Sequence, residues 1–405
     1  MRKSIHHATF SQDQSPPLKP AHDRTPLYPL FLTALKVIGL AVPSIIVVQI
    51  LLSTACCFLV ILLSYRLTGA WTPGILAGFF LALDIPSIAH ANAILTETVF
   101  TFLLLSSVIL LVIHLQTKYK AWPLYASSFL LGLSILCRPI AVFLPLFTFG
   151  AYCFYCRKEG RRVVWRAMGY LTVSFLVILP WIVRNQIHFG TPFLETTGYG
   201  NMFGQRAAGV YAVRDKVSLQ EGHQRILADF HREHRTTFQA DHPKSMKAQS
   251  DFAVSTILAH PLLYAYIHLR GDFHMLFKPL RSTLDQQLGI AKGDAVDLTA
   301  LGTESSASIL ERLIATTSTF TLVLVTIQLV FLVCLYAATA VGIADSFLRK
   351  NELFLLIFFL YIGYFCLLSG GPEANARFRV PIMPLLAVAA GLGTTTATHY
   401  VRNKR

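Results

Sequence analysis

The sequence predicts an all-α polytopic membrane protein, and three observations lead to this prediction. Hydrophobic residues make up 54% of the 405 residues, charged residues only 14%, and the mean hydropathy is +0.54, which is far from the composition of a soluble globular domain. Apolar segments recur along the chain at the length that a helix needs to cross a bilayer. Clusters of basic residues stand beside these segments, as the positive-inside rule expects of cytoplasmic loops.

About nine apolar segments are candidate transmembrane helices: 43–66, 71–88, 94–115, 121–137, 139–156, 165–184, 316–343, 352–370 and 380–400. One alternation of these segments puts every basic cluster on the inner side: 157–162, Arg349 with Lys350, Lys118 with Lys120, and the tail 402–405. The loops 89–97, 185–315 and 371–379 then lie on the outer side. Because topology explains the basic residues, the net charge of +14 does not predict nucleic-acid binding.

The spans divide the chain into four predicted parts. Residues 1–42 form part of a first outer loop, in which 27–42 is an interfacial or re-entrant helix because it contains Lys36 and adjoins the next span. N-terminal transmembrane helices occupy 43–184, an outer loop domain occupies 185–315, and C-terminal transmembrane helices occupy 316–405. The loop domain is expected to be mostly helical, with an amphipathic helical stretch at 247–276 and a flexible polar stretch at 282–308.

A carboxylate interrupts the outer end of an otherwise apolar helix: Glu97, in HANAILTETVF (90–100). Ionisable groups at membrane depth are costly and indicate function by default, so Glu97 is a candidate to act as a base, hold a metal or orient a sugar hydroxyl. The alternative is a first-turn acid favoured by the helix dipole, with Thr96 as the N-cap. His90 and Asn92 are candidate supporting polar groups, although a lone histidine or asparagine is more often an ordinary hydrogen-bonding residue than part of a metal site.

Two arginines end helices on the same outer side. Arg138 follows a helix in ILCRPIAVFLP (135–145), and Arg184 with Asn185 ends PWIVRN (180–185). The planar guanidinium suits phosphate, so both arginines are candidate phosphate ligands and Asn185 is a supporting polar group. For Arg184, interfacial anchoring beside Trp181 is the alternative.

Two further arginines, Arg377 and Arg379, lie in GGPEANARFRVPIMPLL (370–386). They add positive charge on the outer side, against the positive-inside rule, so anchoring explains them poorly. Phosphate binding is the functional interpretation. The alternative is ion pairing with Glu373 or Glu97.

The sequence lacks the motifs of several other chemistries. It has no Gly-rich phosphate loop, no Ser-His-Asp arrangement and no HExxH. The seven cysteines fall in or beside apolar spans, without zinc-type spacing or a disulfide framework. We therefore expect no direct nucleotide binding, and a transferred sugar would have to come from a membrane lipid.

Seven segments, in this order, resemble bacterial membrane glycosyltransferases of the GT-C superfamily: RTPLYPLFLTAL (24–35), the span starting at Pro43 with Gln49, ILTETVF (94–100), LCRPIAVFLP (136–145), PWIVRNQIHFGTPF (180–193), AHPLLYAYIHLRGDF (259–273) and ARFRVPIMPLL (376–386). The resemblance covers nearly the whole chain. It is strongest to glycosyltransferase family 39, the branch similar to protein O-mannosyltransferases and the lipid A aminoarabinose transferase.

The resemblance implies a GT-C-like bundle and an inverting transferase that moves a sugar from a polyprenyl-phosphate donor to a hydroxyl of a lipid, glycan or protein acceptor. In such enzymes an Asp of the first outer loop is the base, and positive groups stabilise the departing phosphate. Glu97 matches the acid at the outer start of the helix after that loop, and Arg377 or Arg379 matches the basic residue at the donor phosphate. The implied location is the bacterial inner membrane, with a periplasmic active face. No definite cofactor is implied, and a divalent metal stays open.

The sequence departs from the family pattern at its start. The segment SIHHATFSQ (4–12) resembles the end of the helix that carries the family's catalytic Asp, and neither Asp13 nor Asp23 occupies the position of that Asp. We therefore expect an N-terminally truncated member without this base, so enzymatic activity is an open question. The alternatives are an inactive paralogue that binds lipid-linked sugar and a lipid-linked sugar transporter, although the gathering of polar groups at one face argues against transport.

Overall fold

The computed structural model describes residues 20–117, 120–234, 242–280 and 318–403. These ranges contain helices and connecting segments but no β-strand, so the predicted all-α class is confirmed. The chain forms two compact units. Unit 1 takes the described residues up to Thr196, together with Leu335–Leu368 and those from Val380 onward, and unit 2 takes the described residues from Thr197 to Cys334, together with Ser369–Arg379. The predicted flexible stretch 282–308 and residues 4–13 lie outside the described ranges.

The α-helices of these ranges, in chain order, are α1 (Leu27–Val37), α2 (Val42–Thr68), α3 (Trp71–Ala82), α4 (Ile85–Ala91), α5 (Glu97–Gln116), α6 (Ala121–Cys137), α7 (Leu144–Tyr155), α8 (Arg162–Phe189), α9 (Thr197–Asn201), α10 (Ala208–Asp215), α11 (Leu219–Glu233), α12 (Pro243–Ala259), α13 (Pro261–Phe277), α14 (Thr319–Leu348), α15 (Glu352–Ser369) and α16 (Met383–Asn403). A π-helical segment at Met202–Ala207 joins α9 to α10. Short 3₁₀ segments at Pro139–Ala141, Arg157–Glu159 and Ala376–Ile382 precede α7, α8 and α16.

Six described segments are long and apolar enough to cross a membrane: α2, α5, α8, α14, α15 and Ala376–Asn403, which contains α16. Two pairs of helices pass the same test if each bent pair counts as one span, namely α3 with α4, bent by 62°, and α12 with α13, bent by 104°. The described part of the chain thus has six to eight segments that can span a membrane. The chain is a multi-pass membrane protein, as its long apolar segments predict.

Proline corrects two of the sequence-based helix predictions. The predicted span 121–137 is observed as α6, with the same bounds. The predicted span 139–156 is instead a 3₁₀ segment followed by α7, of 12 residues, because Pro139 and Pro145 each start a new helical segment. The stretch 247–276 is not one amphipathic helix, since the chain bends between Ala259 and Pro261 and continues as α13.

Two chain breaks in unit 1 position the residues discussed below. Gly39 adopts φ +89°, a left-handed conformation that suits glycine, and it separates α1 from the long α2. After α3, the Asp84 carboxylate accepts hydrogen bonds from the Ser87 amide (3.0 Å) and the Ser87 hydroxyl (2.6 Å). Asp84 therefore caps α4 and fixes the direction in which that short helix leaves α3.

Glycines allow the helices of unit 1 to pack backbone against backbone. A Cβ atom added to Gly393 of α16 would lie 1.9 Å from the Ala338 carbonyl oxygen of α14, and one added to Gly342 of α14 would lie 2.0 Å from the Ala389 oxygen. On another side of α16, a Cβ at Gly391 would lie 2.2 Å from the Pro73 oxygen of α3. Small residues are used in this way where membrane helices approach closely, so α16 is held against both α3 and α14.

Unit 2 has an aromatic core of its own. Phe203 and Phe230 pack edge to face, with ring centroids 5.7 Å apart, and Phe252 of α12 lies 5.6 Å from Phe230. The buried members of this core come from the π-helical segment and from α10, α11 and α12: Phe203, Ala207, Ala208, Tyr211, Ile226, Phe230 and Ala253. The core joins these four elements into a stable helical unit.

Candidate functional site

Glu97 and Arg138 form an ion pair inside unit 1. The Nη1 atom of Arg138 donates to the Oε1 atom of Glu97 at 2.8 Å. The Glu97 side chain is fully buried, whereas 13% of the Arg138 side chain is exposed. The Arg138 guanidinium also lies over the Phe100 ring, 5.6 Å from its centroid. Two helix termini thus bring together an acid and a base that are 41 residues apart in sequence.

The start of α5 distinguishes this pair from simple helix capping. Thr96 occupies the N-cap position, but its side chain makes no capping hydrogen bond to the helix backbone. Its hydroxyl lies 3.5 Å from the Glu97 Oε2 atom instead, and its carbonyl oxygen accepts a hydrogen bond from the Cys137 thiol at 3.7 Å. Glu97 thus lies in the first turn of α5, as the dipole alternative expects, but the Thr96 side chain does not cap the helix, and Arg138 supplies the counter-charge of Glu97.

Arg184 and Asn185 form a second polar group at the C-terminal end of α8. The Arg184 Nη1 atom donates to the Asn185 Oδ1 atom at 2.7 Å and to the Ala21 carbonyl oxygen at 2.8 Å. The Asn185 amide donates to the Phe193 carbonyl oxygen at 2.8 Å. Arg184 also lies over the Trp181 ring, 4.7 Å from its centroid. Trp181 is buried, so anchoring in the lipid interface does not explain this arginine and its aromatic neighbour.

Residues 21–28 connect the two polar groups, and we name this segment the N-terminal strap. Ala21 accepts from Arg184, and the Thr25 hydroxyl donates to the Cys137 carbonyl oxygen at 3.2 Å, next to Arg138. Four residues of extended chain span at most about 14 Å, so the strap fixes the ends of α6 and α8 near each other. The strap is a part of the site that sequence reasoning missed, although the motif RTPLYPLF marked it as a conspicuous segment.

The strap is itself held to α2. The Tyr28 hydroxyl donates to the Gln49 Oε1 atom at 2.7 Å, and the Gln49 amide donates to the Ala93 carbonyl oxygen at 2.5 Å. Tyr28 and Gln49 are both buried. This explains why a glutamine occurs inside an apolar span: it joins the strap to the turn that precedes Glu97.

His90 and Asn92 bond to the backbone of their own helix. The His90 Nδ1 atom lies 2.6 Å from the Pro86 carbonyl oxygen, and the Asn92 amide donates to the Ile88 carbonyl oxygen at 2.8 Å. These contacts match the ordinary hydrogen-bonding alternative given for both residues. Within the described ranges, no group of three or more His, Cys, Asp or Glu side chains is placed to hold a metal ion.

Arg377 and Arg379 belong to unit 2. Arg379 is fully buried, and its Nη1 atom donates to the carbonyl oxygens of Met275 (3.1 Å) and Leu276 (2.6 Å) at the end of α13. Because the last carbonyl groups of a helix have no partners within the helix, this guanidinium stabilises the end of α13. Its Nε and Nη2 atoms are buried and have no hydrogen-bond partner in the protein. Arg377 is half-buried.

A third arginine of unit 2 was not singled out from the sequence. The Arg206 Nε atom donates to the Glu373 Oε1 atom at 2.7 Å. Burial alone would lower the pKa of Arg206, but the Glu373 carboxylate offsets this and raises it above its ordinary value. The predicted alternative paired Glu373 with Arg377 or Arg379, and the observed partner is Arg206. The sequence gives no signal for this pair, because Arg206 lies in the loop 185–315, where a charged residue is not costly as it is inside an apolar span.

The fold is similar to solved membrane glycosyltransferases. Archaeal oligosaccharyltransferase AglB from Archaeoglobus fulgidus, in complex with an inhibitory peptide and a dolichol-phosphate, matches with a TM-score of 0.50 at 14% identity, over 94% of this chain and 43% of that chain. The same oligosaccharyltransferase tethered with an acceptor peptide matches with a TM-score of 0.48 at 13% identity, over 94% and 42%. ArnT from Cupriavidus metallidurans bound to undecaprenyl phosphate matches with a TM-score of 0.40 at 14% identity, over 97% and 71%.

No protein-family model matches the chain, and no curated protein matches its sequence. The chain spans less than half the length of the oligosaccharyltransferases to which it is similar. The similarity to AglB concerns the fold: this chain has a GT-C-like membrane fold, which confirms the resemblance predicted from the order of its motifs.

Proposed function

We propose that the chain is an integral membrane glycosyltransferase that moves a sugar from a polyprenyl-phosphate donor to an acceptor hydroxyl, with inversion, at the outer face of a bacterial inner membrane. The buried Glu97–Arg138 ion pair carries this proposal. A charged pair in a membrane bundle is costly to keep and indicates function. AglB, which has a similar fold, was solved with a dolichol-phosphate, and this supports the choice of donor.

The proposed role of Glu97 is to position Arg138. The Arg138 side chain keeps 13% of its surface exposed while its ion pair fixes the guanidinium. A guanidinium held in one orientation can bind a phosphate without a large loss of side-chain freedom. Because Glu97 is fully buried and already bonded to Arg138, we assign it orientation of the arginine rather than removal of the acceptor's proton.

The reaction needs positive charge where the lipid phosphate departs. The acceptor oxygen attacks the anomeric carbon, the bond from that carbon to the phosphate oxygen breaks, and the electron pair stays on the phosphate. Arginines stabilise this developing charge. Arg138 and Arg184 are the proposed phosphate ligands of unit 1, and Arg377 and Arg379 are the separate candidates of unit 2.

A second proposal is that the chain binds a lipid-linked sugar without transferring it. The burial of Glu97 favours this alternative, because an inaccessible carboxylate cannot accept a proton from an acceptor hydroxyl. Under this proposal the arginines still bind the donor, and the ion pair still orients Arg138. Turnover distinguishes the two proposals, whereas donor binding alone does not.

The test uses the full chain reconstituted in nanodiscs with a panel of undecaprenyl-phosphate sugars. We measure binding of each donor and release of undecaprenyl phosphate in the presence of lipid, glycan and peptide acceptors. Arg138→Gln and Arg377→Ala should weaken donor binding about tenfold or more, as expected for loss of a charge-assisted hydrogen bond. Arg232→Gln is the control, because Arg232 is 80% exposed on α11 of unit 2.

Transfer with any donor supports the glycosyltransferase. Saturable binding without release supports the binding role. Unchanged donor binding in both arginine variants would remove the phosphate assignment. If the wild-type chain neither binds nor turns over any member of the panel, both proposals are wrong.

A further inference from the structure

Unit 1 contains a second polar feature. It is formed by residues 151–159 and 352–360, and neither segment includes Glu97 or Arg138. A groove of about 790 Å³ runs between the end of α7 and the start of α15, and we name it the α7–α15 groove. This volume lies in the range of small-molecule sites. The groove has an apolar wall, which suits an acyl chain, and a charged rim, which suits a headgroup.

The apolar wall belongs to membrane helices. Leu355 and Phe359 of α15 line the groove, together with Phe154 of α7. Phe154 is 65% exposed and Phe359 is 50% exposed, although both belong to apolar helices. In a membrane protein such side chains face acyl chains, so a freely dissolved ion is a poor occupant of this wall.

The charged rim carries both signs. Arg157 and Lys158 follow α7, with Glu159 beside them, and Glu352 starts α15 on the opposite wall. The Arg157 guanidinium donates to the Phe154 carbonyl oxygen at 3.1 Å and lies over the Phe154 ring at 4.6 Å. These contacts hold the cation at the boundary between the apolar wall and the rim.

The equal number of positive and negative side chains in the rim indicates whether the headgroup is anionic or zwitterionic. Two cations and two carboxylates line the groove, and in the described part of the chain Lys158, Glu159 and Glu352 take part in none of the ion pairs. A purely anionic headgroup would meet the repulsion of both carboxylates. A headgroup that carries a phosphate and an ammonium group satisfies both signs.

We propose that the α7–α15 groove binds one phosphoglyceride whose headgroup carries a phosphate and a primary ammonium, as in phosphatidylethanolamine. Arg157 and Lys158 bind the phosphate, and Glu352 on the opposite wall binds the ammonium. An acyl chain lies along Leu355 and Phe359. This site is independent of the proposed transfer reaction, because none of its residues belongs to that site.

The test is lipid retention by the full chain in native mass spectrometry. Phosphatidylethanolamine, phosphatidylglycerol and phosphatidylcholine are offered separately and in equal mixtures. We expect the wild-type chain to retain one phosphatidylethanolamine about tenfold more strongly than the other two lipids, as expected for one charge-assisted hydrogen bond. A phosphatidylethanolamine with a photoreactive acyl chain should crosslink to peptides that contain 151–160 or 352–360.

The variants separate the two halves of the headgroup. Glu352→Gln should abolish the preference for phosphatidylethanolamine over phosphatidylglycerol, whereas Arg157→Gln should lower retention of both lipids. Glu233→Gln and Arg232→Gln on α11 are the matched controls and should change neither. Equal retention of the three lipids by the wild-type chain, or a preference that Glu352→Gln leaves intact, would overturn the proposal. Crosslinks confined to other peptides would overturn it as well. This readout uses the wild-type chain and so does not depend on the folding of a variant.

Discussion

At the residue scale, the Glu97–Arg138 pair makes a prediction about stability that does not depend on activity. Removal of either partner leaves the other charge buried without a counter-charge, which costs about 3–5 kcal/mol. We therefore expect Glu97→Gln and Arg138→Gln each to lower the unfolding free energy by that amount. The unfolding free energy of the double variant should fall by clearly less than the sum of the two single losses, because the double variant has no unpaired buried charge.

The measurement is thermal or denaturant unfolding of the four chains in one detergent, analysed as a double-mutant cycle. Arg232→Gln provides the comparison for loss of an exposed ion pair, for which we expect at most about 1 kcal/mol. Additive losses at Glu97 and Arg138 would mean that the two side chains are not coupled in the folded chain.

The kinds of residue in the candidate site could be predicted from sequence, but their pairing could not. Glu97, Arg138 and Arg184 stand out because ionisable groups in apolar helices are costly. The partner of each charge depends on how distant helix ends meet, and periodicity carries no such information. Arg138 pairs with Glu97 across 41 residues, and Arg206 pairs with Glu373 across 167. Whether these arginines bind phosphate stays a prediction.

At the scale of elements, the positions of helix ends depend on single residues such as proline. A hydropathy average over a long window does not detect them. Hydropathy alone assigned one full span to 139–156, whereas Pro139 and Pro145 divide it into a 3₁₀ segment and the shorter α7. The strap 21–28 has no span-like pattern, and only its contacts reveal its function in joining α2, α6 and α8. Secondary-structure type was thus predictable, and the connections between elements were not.

The packing of α16 gives a prediction at this scale. A Cβ at Gly393 would lie 1.9 Å from the Ala338 carbonyl oxygen, which belongs to the backbone of α14 and cannot turn aside. Gly393→Ala should therefore separate the two helices and lower the unfolding free energy by about 1–3 kcal/mol. The measurement is the unfolding midpoint in detergent.

Gly363→Ala in α15 is the matched control. No atom lies within 4 Å of a Cβ added at that position, and alanine favours a helix over glycine by about 1 kcal/mol at most. We expect this variant to be neutral or slightly more stable than the wild-type chain. Equal midpoints for Gly393→Ala and Gly363→Ala would contradict the close approach of α14 and α16.

At the scale of the whole molecule, the order of the motifs predicted the GT-C-like fold at an identity where sequence comparison with curated proteins finds no match. Composition predicted the all-α membrane class, because a chain that crosses the lipid bilayer as helices needs long apolar segments. The number of spans was predicted less well, since two helix pairs are bent and two helices are short. The orientation of the helices in the membrane rests on charge alone.

That orientation is the last prediction. The positive-inside rule places the basic segment 157–162 in the cytoplasm and the loop 185–315, with α11, outside. In a chain whose seven cysteines are replaced, a membrane-impermeant maleimide applied to intact cells should label Arg232→Cys and not Arg161→Cys. Both positions are exposed in the structure. A difference in labelling therefore reports the side of the membrane and not burial within the protein. Permeabilisation should then make Arg161→Cys reactive. The reverse pattern would put the loop 185–315 on the cytoplasmic face, where a polyprenyl-phosphate donor would have to be used before it crosses the membrane.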